Sequence, residues 1–439
     1  MPESPEPRKF MCPSCGDYSI LDARFVQWCA VCGHGADPNP PQLSARAARR
    51  AQREQRRSLR LFESLHTAQN LRPTSATGVA VTVISTLVHL IGFAALVLPI
   101  CFVAATGGRV FWSYPVLLLG ILTFWGVRPR IRFRMPRQHA GLDRAAAPNL
   151  YALLDRCAAE LGCAVPAKVF VDSRFNASTG RVALRRTSFL SLGVPLWTVL
   201  TGQERIALLG HELGHQVNGD PAHGIWAGSA RRSLSEWTKL LDPRQTAFER
   251  QSNARLRRRT RGGRAGLAAV LAPVVQSVVF LPFFLIAVGC STALARLDLY
   301  CGQRAEYLAD ELGARLAGSE AVAGLLGKLL LREPVVGFIT AARNVSRSAE
   351  LRREAQDTLW ARVKEFADSI PETELLRRRM VDEARNTRTD RTHPATHLRA
   401  ALMRERPPLA GTLKLSADEW ARIDAELAPG ARACARALT

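Results

Sequence analysis

Residues 79–105 contain no Asp, Glu, Lys or Arg, and His89 is the only readily ionised side chain before Arg109. A membrane-crossing helix needs about 20 such residues, so this stretch is long enough to span once. After Thr106-Gly-Gly-Arg109, residues 110–127 (VFWSYPVLLLGILTFWGV) form a second, shorter apolar run with aromatic side chains near both ends. The pair predicts a transmembrane helical hairpin. Arginine-rich runs flank it on both outer sides, RRAQREQRR before and RPRIRFRMPR after, whereas the tip offers only Arg109. Basic residues collect on the cytoplasmic side. The chain is therefore expected to be an integral cell membrane protein whose N-terminus and main domain face the cytoplasm. A lone histidine in a span usually bonds a neighbouring helix, and that is the expectation for His89.

The balance of 60 Lys+Arg against 38 Asp+Glu, a net charge of +22 over 439 residues, suits two partners, nucleic acid and anionic lipid. Neighbouring spans favour membrane lipid. The first residues, MPESPEPRKFMC, lack the apolar segment of a cleaved secretory signal. Of ten cysteines, four form the pairs Cys12-Pro-Ser-Cys15 and Cys29-Ala-Val-Cys32, each followed by glycine. Two such knuckles place four thiolates around one structural Zn²⁺. So short a segment buries little core, and the metal would supply its folding free energy. A structural knuckle for protein contacts is the favoured reading; no aromatic-and-basic signature for nucleic acid lies beside it. The other cysteines read as buried thiols of a reducing compartment.

Residues 37–73 open with a proline-rich linker and continue as RAARRAQREQRRSLRLFESLH, a helix whose arginines ring most of its surface. It reads as a solvated basic helix or one drawn to anionic headgroups. Residues 145–200 read as soluble α/β. APNLYALLDRCAAELG is a helix ending at Gly162, AKVFVD a strand, and residues 181–184 with 188–190 a further strand or hairpin.

A helix from about Gln203 carries His211-Glu212-Leu213-Gly214-His215. Histidines four apart share a helix face and can both reach one Zn²⁺, with Glu212 beside that face to take a proton from water at the metal. Zinc lowers the pKa of such a water to about 7. A catalytic zinc commonly takes a third protein ligand. The candidate lies in CGQRAEYLADELGARLAG, where Glu306 and Asp310 share a helix face. Glu306 would be the ligand and Asp310 an acceptor that orients a ligand histidine.

These blocks resemble, in order, those of the HtpX-like membrane zinc metallopeptidases, the family that includes the CAAX prenyl endopeptidases. The resemblance runs from about residue 148 to 402. Asn176-Ala177 looks like that family's substrate-edge segment, HELGH with Asn218-Gly-Asp220 like its metal helix, and RAEYLAD like its third-ligand block. Thr392-His393-Pro394 with Arg399 is similar to a later element, which implies that His393 and Arg399 lie near the active site and stabilise the tetrahedral oxyanion. The resemblance implies peptide-bond hydrolysis with protein or peptide substrates added to the edge at Asn176 and Ala177. Nothing in the sequence selects prenylated substrates.

The expected fold class is a mainly α membrane protein: a zinc ribbon (1–36), a basic linker and helix (37–73), a transmembrane hairpin (74–128), an α-rich gluzincin-type protease domain with a small β-sheet (129–406) and a helical tail (407–439). Residues 267–297 pose a difficulty. They are apolar enough to span once, yet His215 before them and Glu306 after them must meet at one metal. The stretch 222–241, with Arg231, Arg232, Glu236 and Lys239, is a poor second span. A partly embedded helix broken near Pro282, dipping in and returning, is the expectation, with the basic loop 243–265 kept cytoplasmic. The leading functional reading is a membrane zinc endopeptidase acting on membrane-associated or misfolded proteins. The alternatives are an inactive membrane scaffold recruiting partners through its ribbon and a membrane-tethered nucleic-acid-binding regulator.

Overall fold

The structure is a computed structural model that describes residues 8–68, 76–128, 141–182, 187–218, 220–242, 267–345, 349–386 and 393–438. The basic loop 243–265, the arginine-rich run after Arg128, and Thr392 lie outside the described residues. The chain folds mostly as helices and divides into two compact units.

The first unit comprises Met1–Pro73, Met135–Pro221 and Gly302–Thr439. It opens with an antiparallel hairpin, β1 (Arg8–Met11) and β2 (Tyr18–Leu21), followed by helix α1 (Ala45–His66) and, after a gap in the unit, α4 (Pro148–Leu161). Helix α4 ends where Gly162 takes φ 66°, a left-handed turn that glycine adopts at no steric cost. Three strands follow: β3 (Lys168–Asp172), β4 (Ala177–Val182) and β5 (Thr187–Gly193). Their order is β3-β5-β4, with β5 parallel to β3 and antiparallel to β4; β3 is bridged on its outer side by Leu142, and β4 is the edge strand against α6. The sequence reading began this hairpin at residue 181. It missed residues 177–180 because Ala-Ser-Thr-Gly has little of the β-branched and aromatic content that marks strands.

Helices α5 (Val194–Val199) and α6 (Gly202–Val217) come next. Thr201 and Glu204 form a reciprocal capping box that fixes where α6 starts. Helix α8 (Leu267–Ala317) contributes its last turns to this unit, followed by α9 (Ser319–Leu329), α10 (Arg332–Val345), α11 (Ala349–Asp368), α12 (Glu372–Arg385), α13 (Thr396–Glu405) and α14 (Ala417–Leu438). Two segments read from sequence as peripheral are built into the core. Helix α1 buries Ser58, Leu61 and Leu65 along one stripe, and Arg406 donates to the carbonyls of Leu65 and Ala68. Helix α14 buries Ile423, Leu427 and Cys434, and its Glu426 accepts from the first amides of α4 at Asn149 and Leu150.

The decisive packing is between α6 and the end of α8. A Cβ on Gly210 would lie 2.8 Å from Gly313 Cα, and one on Gly214 would lie 3.0 Å from Ala309 Cα. Only glycine lets the two backbones come this close.

The second unit comprises Thr74–Arg134 and Ala222–Cys301. Helices α2 (Ala76–Thr106) and α3 (Ser113–Val127) form a hairpin in which Gly120 meets Pro99. Helix α7 (Asp220–Leu241) packs Ala227, Ala230 and Leu234 with Val81 and Val88 of α2 and with Ala287 and Leu294 of α8. His89 Nε2 lies 3.0 Å from Ser229 Oγ and its ring meets Trp226 edge-on, so this histidine does bond a neighbouring helix. Among the described residues two helices, Ala76–Thr106 and the segment Phe280–Ala317 of α8, are long and apolar enough to cross a membrane, while α3, at 15 residues, is shorter.

The break expected near Pro282 is absent: α8 is helical throughout Leu267–Ala317. A single proline forfeits one backbone hydrogen bond, which a long helix tolerates with a bend. Helix α7 packs on α8 in the same apolar cluster, and its Arg231 is paired with Asp298 of α8 at 2.7 Å.

Gly210→Val should force α6 and α8 apart. We expect a loss of about 1–3 kcal/mol in denaturant unfolding and loss of zinc from the His211 site by metal analysis, whereas the same change at Gly224, where nothing lies within 4 Å, should leave bound zinc unchanged.

Candidate metal centre

Helix α6 presents His211 and His215 one turn apart, and the glycine seam brings Glu306 of α8 against them. His211 Nε2 and His215 Nε2 are 3.2 Å apart. Glu306 Oε2 lies 3.6 Å from the first and Glu306 Oε1 3.6 Å from the second. Tetrahedral zinc with bonds of about 2.0–2.1 Å to nitrogen or oxygen separates its ligands by about 3.3 Å, so the three groups are spaced as a zinc site requires. Glu306 Oε2 is also buried without a hydrogen bond.

Asp310, fully buried, accepts from His211 Nδ1–H at 2.9 Å. That bond leaves Nε2 with its lone pair toward Glu306 and His215. Arg399, from α13, donates to Asp310 through Nε at 2.7 Å and Nη2 at 2.6 Å, and its Nη1 lies 3.4 Å from Glu306 Oε2. His393 Nε2 is 3.3 Å from Glu306 Oε1. Burial by itself would raise the carboxyls of Glu306 and Asp310, but Arg399 and the imidazoles outweigh it and hold both below the ordinary carboxylate range. The two buried carboxylates of Glu306 and Asp310 share one buried guanidinium, that of Arg399. The excess of negative charge is what a divalent cation neutralises.

Glu212 lines a cleft with His211, Asn176, Ala177, His393 and Arg399. Its backbone carbonyl accepts from Thr179 Oγ1 at 3.2 Å, which ties edge strand β4 to the metal helix. Sequence reasoning missed Thr179, and also the leucines Leu196, Leu208, Leu325 and Leu329 that complete the cleft wall. No local signal marks any of them, since each is brought there by packing of separate elements.

A second ligand set lies in the ribbon. Cys12 and Cys32 Sγ are 3.6 Å apart, as are Cys15 and Cys29 Sγ, and none of the four forms a disulfide. Bonds of about 2.3 Å to sulfur in a tetrahedron imply separations of about 3.8 Å. Gly16 and Gly33, with φ 77° and 75°, close the two turns, and their amides donate to the carbonyls of Cys12 and Cys29.

A family model described as peptidase family M48 matches residues 144–406. No curated protein and no solved structure matches the chain. The match takes in His211, His215, Glu306, His393 and Arg399 and leaves out the ribbon, α1, the hairpin and α14.

Asp310→Asn should weaken zinc binding at this centre by about 10–100-fold in competition with a chelator. Because Glu306 and Asp310 have depressed folded values, the stability they confer is complete above the ordinary carboxylate range and is lost as pH falls through those values. Arg399→Met strands both charges. In metal-free protein it should cost about 3–5 kcal/mol at pH 7, and the deficit relative to wild type should shrink on acidification, as read by denaturant titration at several pH values.

Proposed function

Because the chain belongs to peptidase family M48, we propose that it is a membrane-anchored, zinc-dependent endopeptidase that cleaves membrane-associated or misfolded proteins. The observation that carries this reading is the convergence of His211, His215 and Glu306 next to Glu212, in a cleft bordered by the edge strand β4. His211, His215 and Glu306 would hold the catalytic zinc, and Cys12, Cys15, Cys29 and Cys32 the structural one. When bound, the catalytic ion supplies Lewis acidity to a carbonyl oxygen and to water.

The chain's own groups do the rest. The outer edge of β4, starting at Asn176 and Ala177, offers backbone donors and acceptors to an extended substrate segment. Glu212 takes the proton from the attacking water and delivers it to the leaving amine. His393, whose side chain is the more exposed of the two late residues, donates to the oxyanion as charge develops. Arg399 is engaged with Asp310 and Glu306, so its part is to hold the ligand set rather than to meet substrate.

Membrane anchoring is supported by the outward apolar surface of α2, where Leu87, Leu90, Ile91 and Leu98 are exposed, and of α8, where Phe283, Leu285 and Ile286 are. Contiguous apolar surface of this kind belongs against lipid or a partner. The inactive-scaffold alternative has less support, because His211, His215 and Glu306 converge and Glu212 lines the same cleft.

The test compares detergent-purified wild type with Glu212→Gln, zinc supplied, on unfolded casein. Wild type should cut, a chelator should stop it, and Glu212→Gln should bind zinc normally yet lose at least about 100-fold in rate. Two equally inert proteins with zinc in place would favour the scaffold, and two equally active ones would sink Glu212 as the base.

A further inference from the structure

The ribbon does not hang free of the catalytic unit. It lies along the whole of α12. At one end Arg24 donates to Ser369 Oγ at 2.7 Å and to the Ser369 carbonyl at 2.8 Å, just before the helix begins. In the middle Arg377, buried and held bidentately by Glu374 at 2.6 and 2.7 Å, donates from Nη1 to the Ala36 carbonyl at 2.8 Å. Ala36 is itself set by a turn, its amide donating to the carbonyl of Gly33 directly after the second CxxC knuckle. At the far end Arg385 pairs with both carboxylate oxygens of Asp37 and donates to the Asn39 carbonyl at 2.9 Å.

Helix α12 in turn adjoins the late catalytic block. Asp382, buried on α12, accepts from the amide of His397 at 2.9 Å in the first turn of α13. An acidic group there satisfies an amide that the helix leaves without a partner and favours the helix start electrostatically. Two residues on, Arg399 grips Asp310 and approaches Glu306. His393, also against Glu306, lies in the segment between α12 and α13. A connected line of contacts therefore runs from the second cysteine knuckle through Arg377 and Arg385 to Asp382, to the start of α13 and to the ligand-holding guanidinium.

We propose that the ribbon is a control element of the catalytic centre, with Arg377, Arg385 and Asp382 as positioning residues: metal held by the four cysteines keeps α12 seated, and α12 keeps Arg399 and His393 on Glu306. The inference rests on the peptidase reading for its consequence but not for its mechanics. The physical argument is that the ribbon has almost no core, so its fold depends on the metal. When the knuckle opens, the Ala36 carbonyl is no longer held to Arg377, and a buried guanidinium loses a partner. Local opening of α12 and of the α13 start then becomes cheaper.

The experiment uses full-length protein in detergent and reads three quantities: zinc per chain, amide hydrogen exchange across residues 395–402, and kcat and KM on unfolded casein. Two variants are compared with wild type. Cys29→Ser with Cys32→Ser empties the knuckle. Arg24→Ala with Asp37→Ala keeps all four cysteines, removes the Ser369 contact and leaves Arg385 only the Asn39 carbonyl. We expect the first to bind one zinc and the second two. Both should show exchange at 395–402 raised about tenfold, and kcat lowered with KM within about twofold. A merely structural ribbon would leave exchange at α13 unmoved in both variants while exchange within the ribbon rises, and that result overturns the proposal. Raised exchange at 395–402, with no proteolysis even by wild type, upholds the mechanical link and counts against the peptidase reading instead.

Discussion

The close approach of α6 and α8 at Gly210, Gly214, Ala309 and Gly313 governs the rest of the catalytic unit. Histidines on one helix and a carboxylate about ninety residues later can share a metal only if the two backbones nearly touch at that level. Side chains larger than hydrogen at Gly210, Gly214 or Gly313 would press the two backbones apart and move Glu306 outward. The packing of α7 on α8 in the second unit joins the chain that leaves after His215 to the chain that precedes Glu306. Charges on α7 do not prevent this, because Arg231 is paired with Asp298.

Around that seam the electrostatics are tightly coupled. Asp310 orients His211, Arg399 neutralises Asp310 and reaches Glu306, and His393 touches Glu306 from the other side. None of these buried charges is tolerable alone. The cluster is therefore preorganised for a divalent cation while keeping one side open to the cleft and β4.

The site was more legible in sequence than the fold around it. His211, Glu212 and His215 are fixed by helix periodicity, and Glu306 with Asp310 by an acidic pair on one face of a second helix. Arg399 and His393 came only through resemblance, and the pairing of the arginine with Asp310 and Glu306 is a contact that no spacing could reveal. The misjudged elements are those decided by long-range packing. α1 reads as a solvated arginine rod, yet Leu61 and Leu65 enter the core. α14 reads as a tail, yet Glu426 caps α4. Pro282 reads as a break, yet α8 continues through it. Local propensity is a weak signal in each case, and partners distant in the chain override it.

The central claim is that one chain holds two zinc ions in chemically different settings. Zinc X-ray absorption on purified full-length protein tests it directly. The account predicts two zinc ions per chain, with one population scattering from sulfur at about 2.3 Å and the other from nitrogen and oxygen at about 2.0–2.1 Å; changing His211 and His215 to alanine should remove only the second. A spectrum showing sulfur alone at one zinc per chain, insensitive to those histidines, would contradict it.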